Sequence, residues 1–230
     1  MFGPPGTGKT STLVEAIKQV WRLDGETHIL ACAPSNSAAD LLAVSLRRHL
    51  PQDQMLRLNA LSRSEEAIPD SLRPCSNSTA AGQSIPTLAV LSKYRIIVCT
   101  LVMAGKLASA VFPQGHFRHV FIDEAGQATE PETCIALAGI ISSDMGQLVM
   151  AGDPQQLGPI VRSPLAAKFG LSVSLLERLM AGPPYTNQET GNLDSRCVTK
   201  LIRNFRSVFV PPVTFLIATT IKVVLPCCYS

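Results

Sequence analysis

The chain has 230 residues, of which 46% are hydrophobic, and it carries a formal net charge of +3. This apolar content excludes a disordered chain and suffices for one large α/β domain, or for one domain plus a fragment. The small net charge excludes a polybasic protein, so any contact with nucleic acid has to use a local groove rather than bulk charge.

The seven cysteines include no C-x-x-C pair, which favours a reducing compartment over a disulfide framework or a zinc site. No signal peptide is recognisable at the start. The longest apolar run, near the C-terminus, is interrupted by Lys222 and is short for a bilayer. We therefore expect an intracellular protein without a membrane partner.

A phosphate-binding motif lies almost at the start of the chain. Residues 3–10 read GPPGTGKT and match the pattern G-x-x-x-x-G-K-[ST]. In such a loop the backbone N–H groups and the following helix N-terminus surround phosphate oxygens. Lys9 would contact the β- and γ-phosphates, and the Thr10 hydroxyl would bind Mg²⁺. The alternative is an ordinary Gly/Pro surface turn. The residues predicted to contact ATP here are Gly3, Pro4, Pro5, Gly6, Thr7, Gly8, Lys9 and Thr10.

Apolar strands alternate with amphipathic helices after this loop. The predicted strands are residues 28–33, 95–100, 119–124 and 147–151. The predicted helices are residues 10–21, a segment ending near residue 49, and residues 101–110, 131–141 and 172–180. This alternation predicts an α/β fold, a parallel sheet with helices on both faces. A phosphate-binding loop normally follows a buried central strand, and only two residues precede Gly3, so we expect the sheet to lack its usual first strand.

Residues 51–89 interrupt this alternation. They are polar and rich in Ser, Pro, Arg and Asn, and they contain no recognisable motif. We interpret them as a surface insertion.

Polar residues follow each predicted strand at its carboxyl end, where open α/β sheets bind ligands. The loops 3–10, 34–37, 123–127 and 152–156 should therefore meet in one crevice. Among them, three side chains fit ATP hydrolysis. Asp123 suits Mg²⁺ coordination, Glu124 suits orienting and deprotonating the attacking water, and Gln156 suits sensing the γ-phosphate. The alternatives are acids gathered at a helix N-terminus and a polar turn residue.

Four later motifs distinguish between families that share GPPGTGKT, including the AAA-type remodelling ATPases. APSNSAAD, CTLVMAG, DEAGQATEPE and GDPQQLGP occur in this order, followed by RSPLAAKFGLSVSLLERLM and LIRNFRS. Together they resemble superfamily one RNA helicases of the up-frameshift type, and most closely the Moloney leukaemia virus 10 and Armitage helicases. The resemblance covers roughly residues 2–207.

The resemblance implies that residues 1–207 are the first of two RecA-like motor domains of a P-loop NTPase. It implies ATP and Mg²⁺ as cofactors and single-stranded RNA as a partner. It also implies small-RNA silencing proteins as further partners, and a place in the cytoplasm, including ribonucleoprotein granules. An AAA-type remodeller would need an asparagine at the end of the fourth strand, where this chain has GDPQQ.

The resemblance also assigns individual residues. Ser35, Asn36 and Thr100 match positions that contact the RNA backbone, which carries no sequence information. Phe205 matches an aromatic that stacks on adenine, and Arg206 matches a γ-phosphate contact. The alternatives are helix capping for Ser35 and Asn36, and a helix-start hydrophobe and a surface arginine for the last two.

Residues 208–230 form an apolar tail that does not resemble a second motor domain. Because translocation needs two motor domains that close on ATP, we expect this chain alone to bind Mg-ATP weakly, to hydrolyse it slowly and to unwind nothing. The alternative function is that of a catalytically incomplete isoform that holds nucleotide or RNA without unwinding.

Overall fold

The computed structural model describes residues 1–79, 82–110, 112–113, 115–141 and 145–205. The predicted site residue Arg206 and the tail at 208–230 lie outside the described residues.

A five-stranded parallel sheet forms the centre of the fold. The strands of the protein are β1 (His28–Ala33), β2 (Met55–Arg57), β3 (Ser78–Thr79), β4 (Gly82–Gln83), β5 (Ile96–Thr100), β6 (Phe117–Ile122) and β7 (Gln147–Met150). The order of strands in the main sheet is β2-β5-β1-β6-β7. Strands β3 and β4 form a separate antiparallel pair. The prediction of a parallel sheet is confirmed.

Helices pack on both faces of this sheet, as predicted. They are α1 (Lys9–Leu23), α2 (Asn36–Arg47), α3 (Leu88–Leu91), α4 (Leu101–Ser109), α5 (Glu130–Ile135), α6 (Pro164–Lys168) and α7 (Leu175–Met180). Single 3₁₀ turns lie at Gln52–Gln54, Glu65–Ala67, Arg73–Cys75 and Ala125–Gln127. Helices α5 and α7 are shorter than the predicted segments 131–141 and 172–180.

The two core clusters follow from the period-two alternation of β1. Ile29 and Ala31 point to the face where α1 and α2 contribute Leu13 and Leu42. Leu30 and Cys32 point to the opposite face, where α4 lies. Since both faces are covered, five of the six residues of β1 are buried, and the strand appears in the sequence as a continuous apolar run.

The interpretation of residues 51–89 as a surface insertion is wrong for its first part. Strand β2 forms the edge of the main sheet, with Arg57 in register with Val98 of β5. Met55, Leu56 and Arg57 are all buried, and the Arg57 side chain is fully enclosed. The apolar periodicity of the sequence did not reveal this strand, because Arg57 is charged and lies in a polar segment. The side chain that makes the burial of Arg57 possible belongs to another element, α2.

The phosphate-binding loop starts beside the end of β7, at the other edge of the sheet. Phe2 forms single parallel bridges with Gly152 and Lys200, and the Met1 ammonium donates a hydrogen bond to the Met150 carbonyl at 2.8 Å. Within the described residues no strand precedes the loop, and these contacts join the start of the loop to the edge of the sheet. None of the helices in the same residues has the length and apolar character that a membrane crossing requires.

An aromatic cluster around His116 lies at the amino end of β6, away from the ligand-binding edge. Its ring centroid lies 4.6 Å from that of Phe112 and 4.1 Å from that of His28. Burial, and secondarily the neighbouring His28, lower the pKa of His116 from 6.5 to about 4.

We expect the free energy of unfolding to fall by about 1 kcal/mol between pH 7 and pH 5.5 because of this histidine. The unfolded chain binds a proton at His116 below about pH 6.5, whereas the folded chain resists protonation down to about pH 4, so stability is lost as the pH falls through this window. Urea unfolding at the two pH values measures the loss. A His116→Gln variant should lack it, whereas a His49→Gln control on the surface should keep it. An unchanged pH dependence in His116→Gln would contradict the assignment.

Candidate nucleotide and nucleic-acid site

Two glycines give the phosphate-binding loop its curvature. Gly6 and Gly8 have φ angles of 79° and 82°, in the left-handed region that side chains with a Cβ avoid. Gly8 directly precedes α1, so the loop leads into the N-terminus of a 15-residue helix. Helix N-termini present unpaired N–H groups and a partial positive charge. The loop therefore has the backbone form of an anion site.

Lys9 is buried within this loop, with 7% of its surface exposed. Its Nζ donates hydrogen bonds to the carbonyl oxygens of Gly3 at 2.8 Å and Pro4 at 3.3 Å. The ammonium group is thus held at the loop by the loop's own backbone. A single cation so enclosed is suited to bind phosphate oxygens.

The loop and the acidic pair meet through one hydrogen bond. The Thr10 hydroxyl donates to Asp123 Oδ2 at 2.7 Å, across 113 positions of sequence. Asp123 follows β6, and its backbone N–H donates to the Cys32 carbonyl of neighbouring β1 at 2.9 Å. Sheet pairing therefore brings the carboxylate to the loop.

Burial raises the pKa of the Asp123 carboxyl above its ordinary value, although the hydrogen bond from Thr10, the Glu124 N–H and the charge of Lys9 oppose the rise. The folded chain thus binds a proton at Asp123 more readily than the unfolded chain does. The ionised carboxylate consequently costs stability at neutral pH, and the cost shrinks as the pH falls through the folded pKa.

An Asp123→Asn variant should therefore unfold at a higher temperature than the unaltered chain at pH 7 in Mg²⁺-free buffer. The gain should shrink at lower pH, where the wild-type carboxyl protonates. Thermal unfolding at several pH values measures this difference. Asp53→Asn, on an exposed turn, is the matched control, and a lower melting temperature of Asp123→Asn at pH 7 would refute the prediction.

Glu124 has the only positive φ angle among the described residues other than glycine, at 52°. This conformation is strained for a residue with a long side chain, and it turns the backbone abruptly after β6. Gln127 Nε2 donates to Glu124 Oε2 at 3.2 Å. Glu124 is only partly buried, so its carboxylate is both oriented and accessible to water.

Close backbone packing aligns the two polar loops that follow β6 and β7. A Cβ on Gly126 would lie 2.9 Å from the Asp153 carbonyl oxygen, and a Cβ on Gly152 would lie 2.8 Å from the Gly126 nitrogen. The Gln156 side chain donates to Asp153 Oδ2 at 2.7 Å. The predicted sensor thus lies in the loop next to the acids, and its role stays a prediction.

Phe205 lies directly over the phosphate-binding loop. Its backbone N–H donates to the Gly6 carbonyl at 2.8 Å, and its ring comes within 4.0 Å of the place of a Cβ on Gly8. The residue is 65% exposed, and the Arg203 guanidinium lies 5.1 Å from the ring centroid. An exposed ring beside the phosphate-binding loop fits the predicted stacking on adenine, which stays a prediction.

The three predicted RNA contacts lie at the ends of neighbouring strands. Ser35 caps α2 and accepts a hydrogen bond from the Ala38 N–H at 3.2 Å. Thr100 caps α4 and accepts from the Met103 N–H at 3.3 Å. Ala33 and Thr100 are in register between β1 and β5, so the two helix N-termini lie side by side. Capping and contact with RNA remain compatible, because capping uses each hydroxyl only as an acceptor. The Ser35 hydroxyl also lies 3.0 Å from the Ser37 hydroxyl, and either of the two can donate.

Asn36 is not the cap of α2. Its side-chain Oδ1 accepts a hydrogen bond from Arg57 Nη2 at 3.0 Å, and Arg63 Nη1 lies 3.5 Å away. Sequence reasoning missed both arginines, because they lie in the segment interpreted as an insertion. It also missed Gln127, for which a spacing of three residues from Glu124 was the available signal.

A groove of about 310 Å³ lies between the loop after β1 and the segment after β7. Its lining residues are Pro34, Ser35, Gln127, Thr129, Glu132, Leu157, Gly158 and Ile160. It connects the predicted RNA contact Ser35 with Gln127, the hydrogen-bond partner of Glu124. The predicted ATP site and the predicted RNA contact therefore lie at the same edge of the sheet.

The residues at this edge fit Mg-ATP in their chemistry. The Thr10 hydroxyl and the Asp123 carboxylate are oxygen ligands, which Mg²⁺ prefers. Lys9 and the N-terminus of α1 are suited to bind the phosphates. Several of the predicted ATP-site residues in the described part of the chain lie around the loop, namely Lys9, Thr10, Asp123, Glu124 and Phe205. Gln156 lies one loop away.

The sequence is similar to a known protein family and to several proteins named as helicases. The family model AAA_11, an AAA domain, matches residues 1–85 and 47–164. The Danio rerio protein mov-10-B.1 is 54% identical over 212 residues, covering 90% of this chain and 21% of that protein. RNA helicase Mov10l1 of Homo sapiens is 45% identical over 214 residues, covering 90% and 17%. The Drosophila melanogaster protein armi is 35% identical over 232 residues, covering 90% and 19%.

The chain thus spans about a fifth of the length of these relatives. The two overlapping segments of the family match together cover the phosphate-binding loop, the acidic pair and Gln156. The chain belongs to the AAA domain family, with the RecA-like fold of a P-loop NTPase, and its relatives there include the mov-10, Mov10l1 and armi helicases.

Proposed function

We propose that this chain is a nucleotide-binding motor domain of an ATP-dependent RNA helicase, which hydrolyses Mg-ATP and couples hydrolysis to binding of single-stranded RNA. The observation that supports this most directly is the hydrogen bond between Thr10 and Asp123. It joins the phosphate-binding loop to the acidic pair, as ATP hydrolysis requires.

In this proposal, each residue around the loop has one task. Lys9 and the loop N–H groups bind the phosphate oxygens, and Thr10 and Asp123 are the protein's ligands for Mg²⁺. Bound Mg²⁺ would neutralise negative charge on the phosphates. Glu124, oriented by Gln127, positions a water molecule and accepts its proton on a carboxylate oxygen. The products are ADP and phosphate.

The neighbouring N-termini of α2 and α4 form the proposed RNA contact. Ser35, Asn36 and Thr100 would donate hydrogen bonds to phosphate and sugar oxygens. RNA rather than DNA is proposed because relatives are named RNA helicases. A role in RNA-mediated silencing, partners among small-RNA silencing proteins and a cytoplasmic location are proposed on the sequence resemblance alone.

ATP turnover by purified residues 1–230, with and without single-stranded RNA, tests the proposal. We expect slow turnover that RNA stimulates, and no unwinding of a duplex, since one motor domain cannot grip RNA alternately. A Lys9→Ala variant should abolish the RNA-stimulated part, and a Lys18→Ala variant is the control on the same helix. Binding of ATP and RNA without turnover would favour the catalytically incomplete isoform, and failure to bind ATP would overturn both functions.

A further inference from the structure

A buried cluster of charged and amide side chains lies beneath the N-terminus of α2. Asp40, one helical turn after Asn36, accepts hydrogen bonds on Oδ1 from Arg57 Nε and Arg63 Nη1, both at 2.9 Å. The Arg57, Arg63 and Asp40 side chains are 0%, 8% and 11% exposed. Burial of this kind fixes side-chain geometry, because each guanidinium nitrogen needs its own acceptor.

Both guanidinium groups are anchored on further acceptors. Arg57 Nη1 donates to the Leu58 carbonyl at 2.8 Å. Arg63 donates to Asn59 Oδ1 at 2.8 Å and to the Ala67 carbonyl at 2.7 Å. The arginines therefore cannot shift without breaking several bonds, and their position is set by β2 and the turns that follow it.

This anchoring decides which way the Asn36 amide faces. A guanidinium group carries donors and no acceptor, so only the carbonyl end of the amide can face Arg57 and Arg63. The Nδ2 group must then face away from the cluster, on the exposed side of α2 beside Ser35. Two positive charges against one carboxylate charge also leave an excess of +1 beneath this position.

We infer that Arg57, supported by Arg63, is a positioning residue for RNA binding. It holds the Asn36 amide so that Nδ2 donates outward to the RNA backbone, next to the hydroxyl of Ser35. The inference rests on the proposed function, and it assigns a role to a strand that the sequence alone did not reveal.

A double-mutant cycle on the affinity for single-stranded RNA tests the inference. Asn36→Ala and Arg57→Lys should each weaken binding by about tenfold, the size of one hydrogen bond to a charged group. The double variant should be no weaker than Asn36→Ala, because Arg57 acts through Asn36. Arg48→Lys, the same change at an exposed arginine, should bind RNA like the unaltered chain.

Three results of these affinity measurements would overturn the inference. One is unaltered affinity in Arg57→Lys, and another is a double variant roughly a hundredfold weaker, which would mean that the residues act independently. The third uses Asn36→Asp, which keeps the acceptor facing Arg57 and loses the outward donor. If Asn36→Asp binds RNA as well as the unaltered chain, no donor acts there, even if Arg57→Lys fails to fold.

A measurement without RNA separates this inference from the proposed function. The side-chain amide signals of Asn36 in a nitrogen-15 NMR spectrum, assigned by their loss in Asn36→Asp, should shift in Arg57→Lys and stay in Arg48→Lys. If they do not shift, the positioning role fails while RNA binding stands. If the unaltered chain binds no RNA at all, both proposals fail.

Discussion

A Glu124→Gln variant should hydrolyse ATP about 10²- to 10⁴-fold more slowly than the unaltered chain while still binding Mg-ATP. The amide keeps the shape of the side chain and its contact with Gln127, but it cannot accept the proton of the attacking water. The Glu124 side chain lies just after the end of β6, where the positive φ angle of Glu124 turns the backbone into the loop. The hydrolysis rate is measured as phosphate release with RNA present, and nucleotide binding is measured with a fluorescent ATP analogue.

The matched control is Glu189→Gln, the same change at an exposed carboxylate in the turn before Gly191. It should hydrolyse ATP at the normal rate. Near-normal turnover in Glu124→Gln would remove Glu124 from the mechanism, whereas loss of nucleotide binding would make it a residue of the binding loop instead.

An Asp40→Ala variant should lose about 3–5 kcal/mol of unfolding free energy, the loss expected when one partner of a buried ion pair is removed. Its carboxylate is shared by Arg57 and Arg63. Without it, two guanidinium groups remain in a buried site with too few acceptors, and the desolvation of their charge is no longer offset. Urea unfolding, followed by circular dichroism, measures the loss.

Asp53→Ala, at an exposed turn four residues before Arg57, should change stability by no more than about 0.5 kcal/mol. If Asp40→Ala is equally mild, β2 is not held in the sheet through this ion pair. The test concerns β2 rather than a central strand, because Arg57, which pairs with Asp40, is the residue that prevented the prediction of β2 from the sequence.

Much of the sheet could be predicted because its central strands β1 and β5 are buried on both faces. Both appear as apolar runs in the sequence, and β1 was predicted with its observed bounds, His28–Ala33. The residues of the phosphate-binding loop were recognisable for a similar reason, since Gly6 and Gly8 adopt backbone angles that leave little choice of residue. Apolar runs and restricted backbone angles are both properties of residues that are close together in the sequence.

The arginine cluster and the meeting of Thr10 with Asp123 depend on partners far apart in sequence. Arg57 is tolerable in a buried strand only because α2 supplies Asp40 and Asn36, 17 and 21 positions away. The amino-acid pattern was enough to predict the fold class. It also gave the order of the candidate site residues along the chain, from the phosphate-binding loop to the acidic pair to Gln156. Only the packed sheet decided which of these groups touch, because burial, desolvation and shared hydrogen bonds act through space between elements that the linear pattern describes one at a time.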